Sequence, residues 1–183
     1  PGLARRSRNR EGQREDGQGG QDERYPLLAA DAHASDDLDR VLAVNVTGVA
    51  AQLQTLVASG RLRDGARVVV ISSIWQDLAR PGKFSYAVSK AAVGGLVRAA
   101  AMDLASRGIL VNGVLPGVVD TPMSRTMLSP EQVAGVEGAT PAGRMVRPRD
   151  VASLVSYLAS ARNTGVTGQS VVVDLGYSVG RVL

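Results

Sequence analysis

The stretch Arg67-Val68-Val69-Val70-Ile71-Ser72-Ser73 decides how this chain folds. Four successive β-branched residues leave no polar face, so the segment reads as a strand buried on both sides, the mark of a parallel sheet covered by helices. Open sheets of this kind place ligands beyond the C-terminal ends of their strands, which sets Ser73 at the mouth of a crevice. A second apolar run, Leu110 to Leu115, is broken by Pro116-Gly117, and a third, Ser170 to Asp174, lies near the end of the sequence. Helical periodicities alternate with these runs, and the alternation predicts an α/β fold with a parallel sheet.

The helices carry their own start and stop signals. Asp36 or Asp37 caps a helix running to about Ser59, with Leu38, Val41, Leu42, Val46, Val49, Leu53 and Leu56 at helical spacing and Gly60 as terminator. A second long helix is predicted from about Ser85 to Ser106, stopped by Gly108. Residues 121–147 form a long connection, often a lid in such folds, with one short helix whose start is Ser129-Pro130-Glu131: a cap, a favoured first residue and an acidic first turn. Pro148 and Asp150 open a further helix to about Ser160.

At 183 residues the chain suits one domain with a real core. Cysteine is absent, which excludes a disulfide frame and a cysteine metal site, and the sole histidine, His33, has no ligand cluster around it, so no metal is expected. No apolar run is expected to approach a bilayer span and no secretory signal core is evident, which points to a cytoplasmic protein without a membrane partner. The net charge is +4 and the pI about 10.0. Residues 1–24 nevertheless carry six arginines against five acids and no aromatic residue, so a nucleic-acid arm is not expected. Composition changes near residue 30: residues 1–34 read as a disordered mixed-charge segment and 35–183 as the folded domain.

The chemistry concentrates at Tyr86-Ala87-Val88-Ser89-Lys90. Positions i and i+4 share a helix face, so the Lys90 ammonium can lie near the Tyr86 phenol and favour its ionised form. A tyrosine so tuned works as an acid or base near neutrality, and Ser73 and Asn45 complete a possible proton-transfer site. Taken singly each has an ordinary reading: a half-buried tyrosine, a lysine laid along the surface, a serine at a strand end, an asparagine bonding within a helix.

Five elements in order resemble the short-chain dehydrogenase/reductase family over about Asp36 to Tyr177: Asn45-Val46-Thr47-Gly48, Val70-Ile71-Ser72-Ser73, Tyr86 to Lys90, Val111-Asn112-Gly113-Val114-Leu115-Pro116-Gly117-Val118-Val119-Asp120-Thr121-Pro122, and Val166-Thr167-Gly168-Gln169 followed by Val171-Val172-Val173-Asp174. The resemblance is closest to 3-oxoacyl-carrier-protein reductases and related alcohol dehydrogenases. It implies hydride transfer between NAD or NADP and a carbonyl or alcohol. Tyr86 would exchange the proton, Lys90 lower the tyrosine pKa and bind the nicotinamide ribose, Ser73 polarise the carbonyl, and Asn45 hold a relay water. It further implies that Pro116, Gly117 and Val119 support the nicotinamide ring, with Thr121 at its carboxamide. Trp75, Val118 and Met123, with Phe84 and Met127 as companions, would line a moderately hydrophobic substrate crevice or else pack as a lid.

The chain also departs from the family pattern. No glycine-rich phosphate loop is found: Gly12, Gly17 and Gly19 are spaced wrongly, and Glu15 and Asp16 would repel a pyrophosphate. The expected fold is therefore the C-terminal part of a Rossmann-like doubly wound sheet without its first strands. The alternative to an oxidoreductase is an inactive remnant or binding module, or half of a split enzyme. Leu175-Gly176 stands where the family often shows paired glycines. Two long helices would assemble a homo-oligomer by resemblance, and the unpartnered edge of the Val68–Ile71 strand invites self-association.

Overall fold

Residues 35–180 are described in a computed structural model of the chain; residues 1–34, read above as disordered, and 181–183 lie outside the described residues. Helix α1 (Ser35–Leu42) passes through a π-helical turn (Ala43–Thr47) into α2 (Gly48–Ala58). Gly48 closes that wide turn by donating its N–H to the Ala43 carbonyl, and a Cβ at Gly48 would stand 3.3 Å from the same oxygen. Strand β1 (Arg67–Ile71) leads through a 3₁₀ turn (Ile74–Gln76) to α3 (Phe84–Leu104), whose last turn tightens at Ala105–Arg107 before Gly108 takes the left-handed conformation with φ 64°. Strand β2 (Leu110–Pro116) follows, then α4 (Pro122–Met127), α5 (Pro130–Ala139), α6 (Pro148–Leu158) and β3 (Ser170–Val173).

The three strands are parallel in the order β1-β2-β3, with Arg67 opposite Leu110, Ile71 opposite Val114 and Gly113 opposite Ser170. One sheet face packs Val68, Val70 and Val111 against Val93, Val97, Ala100, Ala101 and Leu104 of α3, with Val46, Val49, Leu53 and Val57 of the first long helix sealing the rim. Helix α6 packs along all three strands and buries Leu158. Arg67, pointing away from the α3 face by strand alternation, reaches the loop after α6 and donates to the Asn163 carbonyl at 2.9 Å and 3.2 Å. Two fully buried asparagines fasten the loop before β3, Asn112 to β2 and Asn163 to the end of α6. Asn112 donates to the Val166 carbonyl and accepts from Gln169 N–H, while Asn163 donates to the Leu158 and Val166 carbonyls and accepts from Val166 N–H.

The expected strands and long helices are present. The 121–147 connection holds two helices rather than one, because Thr121-Pro122 repeats the start signal of Ser129-Pro130: each cap oxygen accepts the N–H three residues on, and Ser124 and Gln132 answer back to the cap N–H. The expectation that no segment reaches bilayer length is corrected. The helical run Asp37–Ala58 contains an 18-residue window of mean hydropathy 1.5, long and apolar enough to cross a membrane by length and composition. Valine and leucine carry that mean, and of these Val46, Val49, Leu53 and Val57 lie against the α3 and sheet core. Among the described residues nothing pairs with the outer edge of β1, where Ile71 is half exposed.

Candidate active site

Ser73 follows β1 in extended conformation and its Oγ accepts the Trp75 N–H at 3.3 Å, capping the 3₁₀ turn. The turn is pinned by buried Ile74 and rests on α3, where the bare backbone of Gly94 makes room for Gln76; a Cβ there would stand 2.7 Å from Gln76 Cδ. The strand end carrying Ser73 is thus locked against the helix that carries Tyr86 and Lys90.

Tyr86 and Lys90 lie one turn apart in α3, and the Lys90 ammonium is 5.5 Å from the Tyr86 ring centroid. Burial pushes the Lys90 ammonium below the usual lysine range, since a partly desolvated cation gives up its proton more readily. Asn45 sits in the π turn and donates to Ser89 Oγ at 3.0 Å; fully buried Ser89 in turn donates to the Tyr86 carbonyl at 2.8 Å. This two-bond chain fastens the first long helix to the turn of α3 that bears Tyr86. Ser89 lies inside the Tyr-to-Lys motif, but its role is invisible without the long-range contact to Asn45.

The segment beyond β2 is held by Val119 pairing with Val146, with Val146 N–H to the Val118 carbonyl at 3.0 Å and Asp120 N–H to the Val146 carbonyl at 2.7 Å. Gly117 passes so close to β3 that a Cβ would meet Asp174 Cβ at 2.9 Å. Pro116 is buried and Val118 and Val119 half-buried. Thr121 has both its N–H and its hydroxyl engaged with Ser124 as the cap of α4. Met123 and Met127 are 72% and 71% exposed, so in this conformation they stand out from the surface rather than line a closed crevice. Trp75 is half-buried with the Arg80 guanidinium 5.5 Å from its ring centroid. Leu175 adopts φ 58°, the left-handed region where the family often has glycine, and Asp174 holds that turn by accepting the Gly176 and Ser178 N–H groups at 2.9 Å and 2.7 Å.

These groups also bear on whether a dinucleotide fits. Lys90 forms no ion pair among the described residues, which leaves its ammonium available to ribose hydroxyls. The buried hydroxyls of Ser72 and Ser85, neighbours of Ser73 and Tyr86, have no hydrogen-bond partner. No cluster of potential metal ligands occurs among the described residues.

A parallel α/β sheet with Ser73 at a strand end and a helix bearing Tyr86 and Lys90 packed against it places these groups at the edge where open α/β sheets bind ligands. The chain belongs to the short-chain dehydrogenase/reductase family, and residues 27–178 match the family model described as enoyl-(acyl carrier protein) reductase. It is 36% identical over 147 residues to glucose 1-dehydrogenase of Gluconobacter oxydans (strain 621H), covering 79% of this chain and 55% of that one. It is 42% identical over 148 residues to (3R)-3-hydroxyacyl-CoA dehydrogenase of Mus musculus, covering 78% and 55%. Among solved structures, a gluconate 5-dehydrogenase from Burkholderia cenocepacia J2315 in complex with NADP and tartrate superposes with TM-score 0.76 at 30% identity, over 86% of this chain and 62% of that one. A short chain dehydrogenase family protein from Francisella tularensis superposes with TM-score 0.78 at 29% identity, over 83% and 66%. The chain spans about half the length of the curated relatives it matches.

Proposed function

We propose that this chain carries the proton-transfer half of a nicotinamide-dependent oxidoreductase acting on a small carbonyl or alcohol. The observation that carries the proposal is the Tyr86–Lys90 pair, a phenol with an ammonium 5.5 Å from its ring centroid on the helix locked against Ser73. When bound, the nicotinamide supplies or accepts the hydride. Tyr86 gives its phenolic proton to the carbonyl oxygen in the reducing direction and takes it back in the oxidising one. Ser73 donates a hydrogen bond to that oxygen. Lys90 stabilises the phenolate and holds the ribose hydroxyls, and Asn45 fixes the helix turn beside them and holds the relay water. Pro116, Gly117 and Val119 form the wall for the nicotinamide, while Thr121 shapes the wall by capping α4. Trp75, Val118 and Met123 contact substrate, Met123 by closure of α4.

We also propose a cytoplasmic homo-oligomer. An apolar groove between α2 and α3, lined by Ala50, Leu53, Val57, Leu96 and Leu104, lies beside Leu56 and Met102, the latter 78% exposed, and suits a second copy of the same face.

The test is a titration of the purified protein with NADH and with NADPH, followed by Trp75 fluorescence and then by carbonyl-dependent oxidation of the cofactor. Saturable quenching with turnover, and retention of binding but at least a ~100-fold loss of kcat in Tyr86→Phe, is expected of a general acid. Absence of saturation with both cofactors would make the chain a remnant or one part of a split enzyme.

A further inference from the structure

We propose that the mouth of this site selects substrates that carry an anionic group, a carboxylate or phosphate beside the reacting carbonyl or alcohol, and that Arg80 and Lys83 are the residues that read it. The proposal rests on the oxidoreductase reading above and adds the charge of its substrate, which apolar neighbours such as Trp75 and Val118 do not disclose.

Charge around the crevice is one-sided. Between Ser72 and Lys90 the chain carries Arg80, Lys83 and Lys90 against a single acid, Asp77. Neither Arg80 nor Lys83 has an ion-pair partner among the described residues, whereas Arg125 across the lid is neutralised by Asp120 at 2.7 Å, and Arg144 and Arg147 share Asp150. Exposed Arg80 and half-buried Lys83 each lie over an aromatic ring. Arg80 sits 5.5 Å from the centroid of Trp75, two residues beyond Ser73, and the Lys83 ammonium 5.9 Å from the centroid of Tyr86. The tight turn at Pro81-Gly82, with Gly82 at φ 73°, doubles the chain back so that both return to the aromatic rings flanking the reacting position. Lys83 is half-buried.

Each ring gives its cation a weak, soft partner. An arriving carboxylate offers a stronger one, and the planar guanidinium matches it in two-point geometry. Lys90 lies deeper beside the phenol and is committed to the proton path. Arg80 and Lys83 therefore form an outer pair, placed to bind the far end of a short substrate while its carbonyl meets Ser73 and Tyr86. They touch substrate without moving a proton, so their loss should appear in KM.

Acetoacetate and ethyl acetoacetate present the same ketone with and without a charge, and both are the probes for wild type, Arg80→Glu, Lys83→Glu, the double variant and Arg63→Glu, an exposed change of equal charge away from the site. In wild type, kcat/KM for acetoacetate should exceed that for the ester by about tenfold, equivalent to ~1.4 kcal/mol. The double variant should abolish the preference through KM, with kcat and ester turnover within about twofold, and raised salt should erode it. Arg63→Glu should leave the preference intact. Equal use of acid and ester by wild type would overturn the proposal, as would a parallel loss of both substrates in the double variant. Binding read from Trp75 fluorescence separates this from failure of the oxidoreductase reading. If no substrate turns over yet acetoacetate saturates the signal more tightly than the ester in an Arg80- and Lys83-dependent way, the anion site stands and the hydride chemistry falls. Binding without charge preference overturns the proposal whatever the turnover.

Discussion

Replacing Gly94 and Gly95 by alanine, separately, should change stability by different amounts although the two are neighbours in the middle of α3. A mid-helix glycine costs about 1 kcal/mol relative to alanine, so each site has the same intrinsic gain on offer. A Cβ at Gly95 meets nothing within 4 Å, and Gly95→Ala should therefore stabilise by ~0.5–1 kcal/mol. A Cβ at Gly94 would stand 2.7 Å from Gln76 Cδ and 2.8 Å from its Nε2. Ordinary contact needs roughly 3.5–4 Å, so the amide of Gln76, the far end of a flexible side chain, must move by about 1 Å, at a cost near the low end of overpacking, about 1 kcal/mol. Gly94→Ala is then close to neutral, and the two variants should differ by about 1 kcal/mol. Urea unfolding followed by far-ultraviolet circular dichroism measures both. The double variant Gln76→Ala/Gly94→Ala removes the obstacle and should recover most of the loss relative to Gln76→Ala alone, a coupling that a double-mutant cycle isolates. If Gly94→Ala stabilises as much as Gly95→Ala, the close seating of the Ser73 turn on α3 is wrong. Because Gln76 follows Trp75, Gly94→Ala should also alter Trp75 fluorescence, and Gly95→Ala should not.

Ser89→Ala removes both the acceptor of Asn45 and the bond to the Tyr86 carbonyl; it should cost ~1–2 kcal/mol and lower kcat more than KM, with partial recovery in Ser89→Thr. Lys90→Met should end turnover yet raise stability at neutral pH. The folded state depresses the Lys90 pKa, so the unfolded chain binds that proton more tightly, and the variant's advantage in unfolding midpoint should shrink as pH rises through the depressed pKa toward the ordinary lysine range. Asp150, held below the usual carboxylate range chiefly by its hydrogen bond from Arg144 and then by the Arg147 N–H, contributes stability above the ordinary carboxylate pKa that is lost as pH falls through its depressed folded value. Asp150→Asn should therefore unfold at lower temperature than wild type at pH 7, and the gap should close in acid.

The strands were legible because Val68–Ile71 and Leu110–Leu115 admit no amphipathic alternative, and the order of helices and strands followed from glycine and proline punctuation. Helix α4 is not legible in the sequence although Thr121-Pro122 carries the same cap-and-proline signal as Ser129-Pro130; a run of six residues shows too little periodicity to stand out. The left-handed turn at Leu175 was foreshadowed by a leucine where the family has glycine, and the structure places it at φ 58°. The groups proposed to act by moving protons could be named from spacing. Their setting could not. The Asn45–Ser89–Tyr86 chain joins residues 44 apart, and the placement of Arg80 and Lys83 over the Trp75 and Tyr86 rings depends on a turn whose direction no local pattern specifies.

The π turn at Ala43–Thr47 changes how the first long helix must be read. One additional residue in a turn rotates everything after it by about 100° relative to everything before, so α1 and α2 are two phases of one periodicity rather than a single stripe. Averaged across the joint, the apolar residues look distributed all round, although each half keeps its own packed side. An alignment or a redesign that treats residues 35–58 as one register would misassign which side faces the sheet. Deleting one residue within the turn would restore uniform α geometry and turn Asn45 away from Ser89, making the added residue the device that aims the side chain.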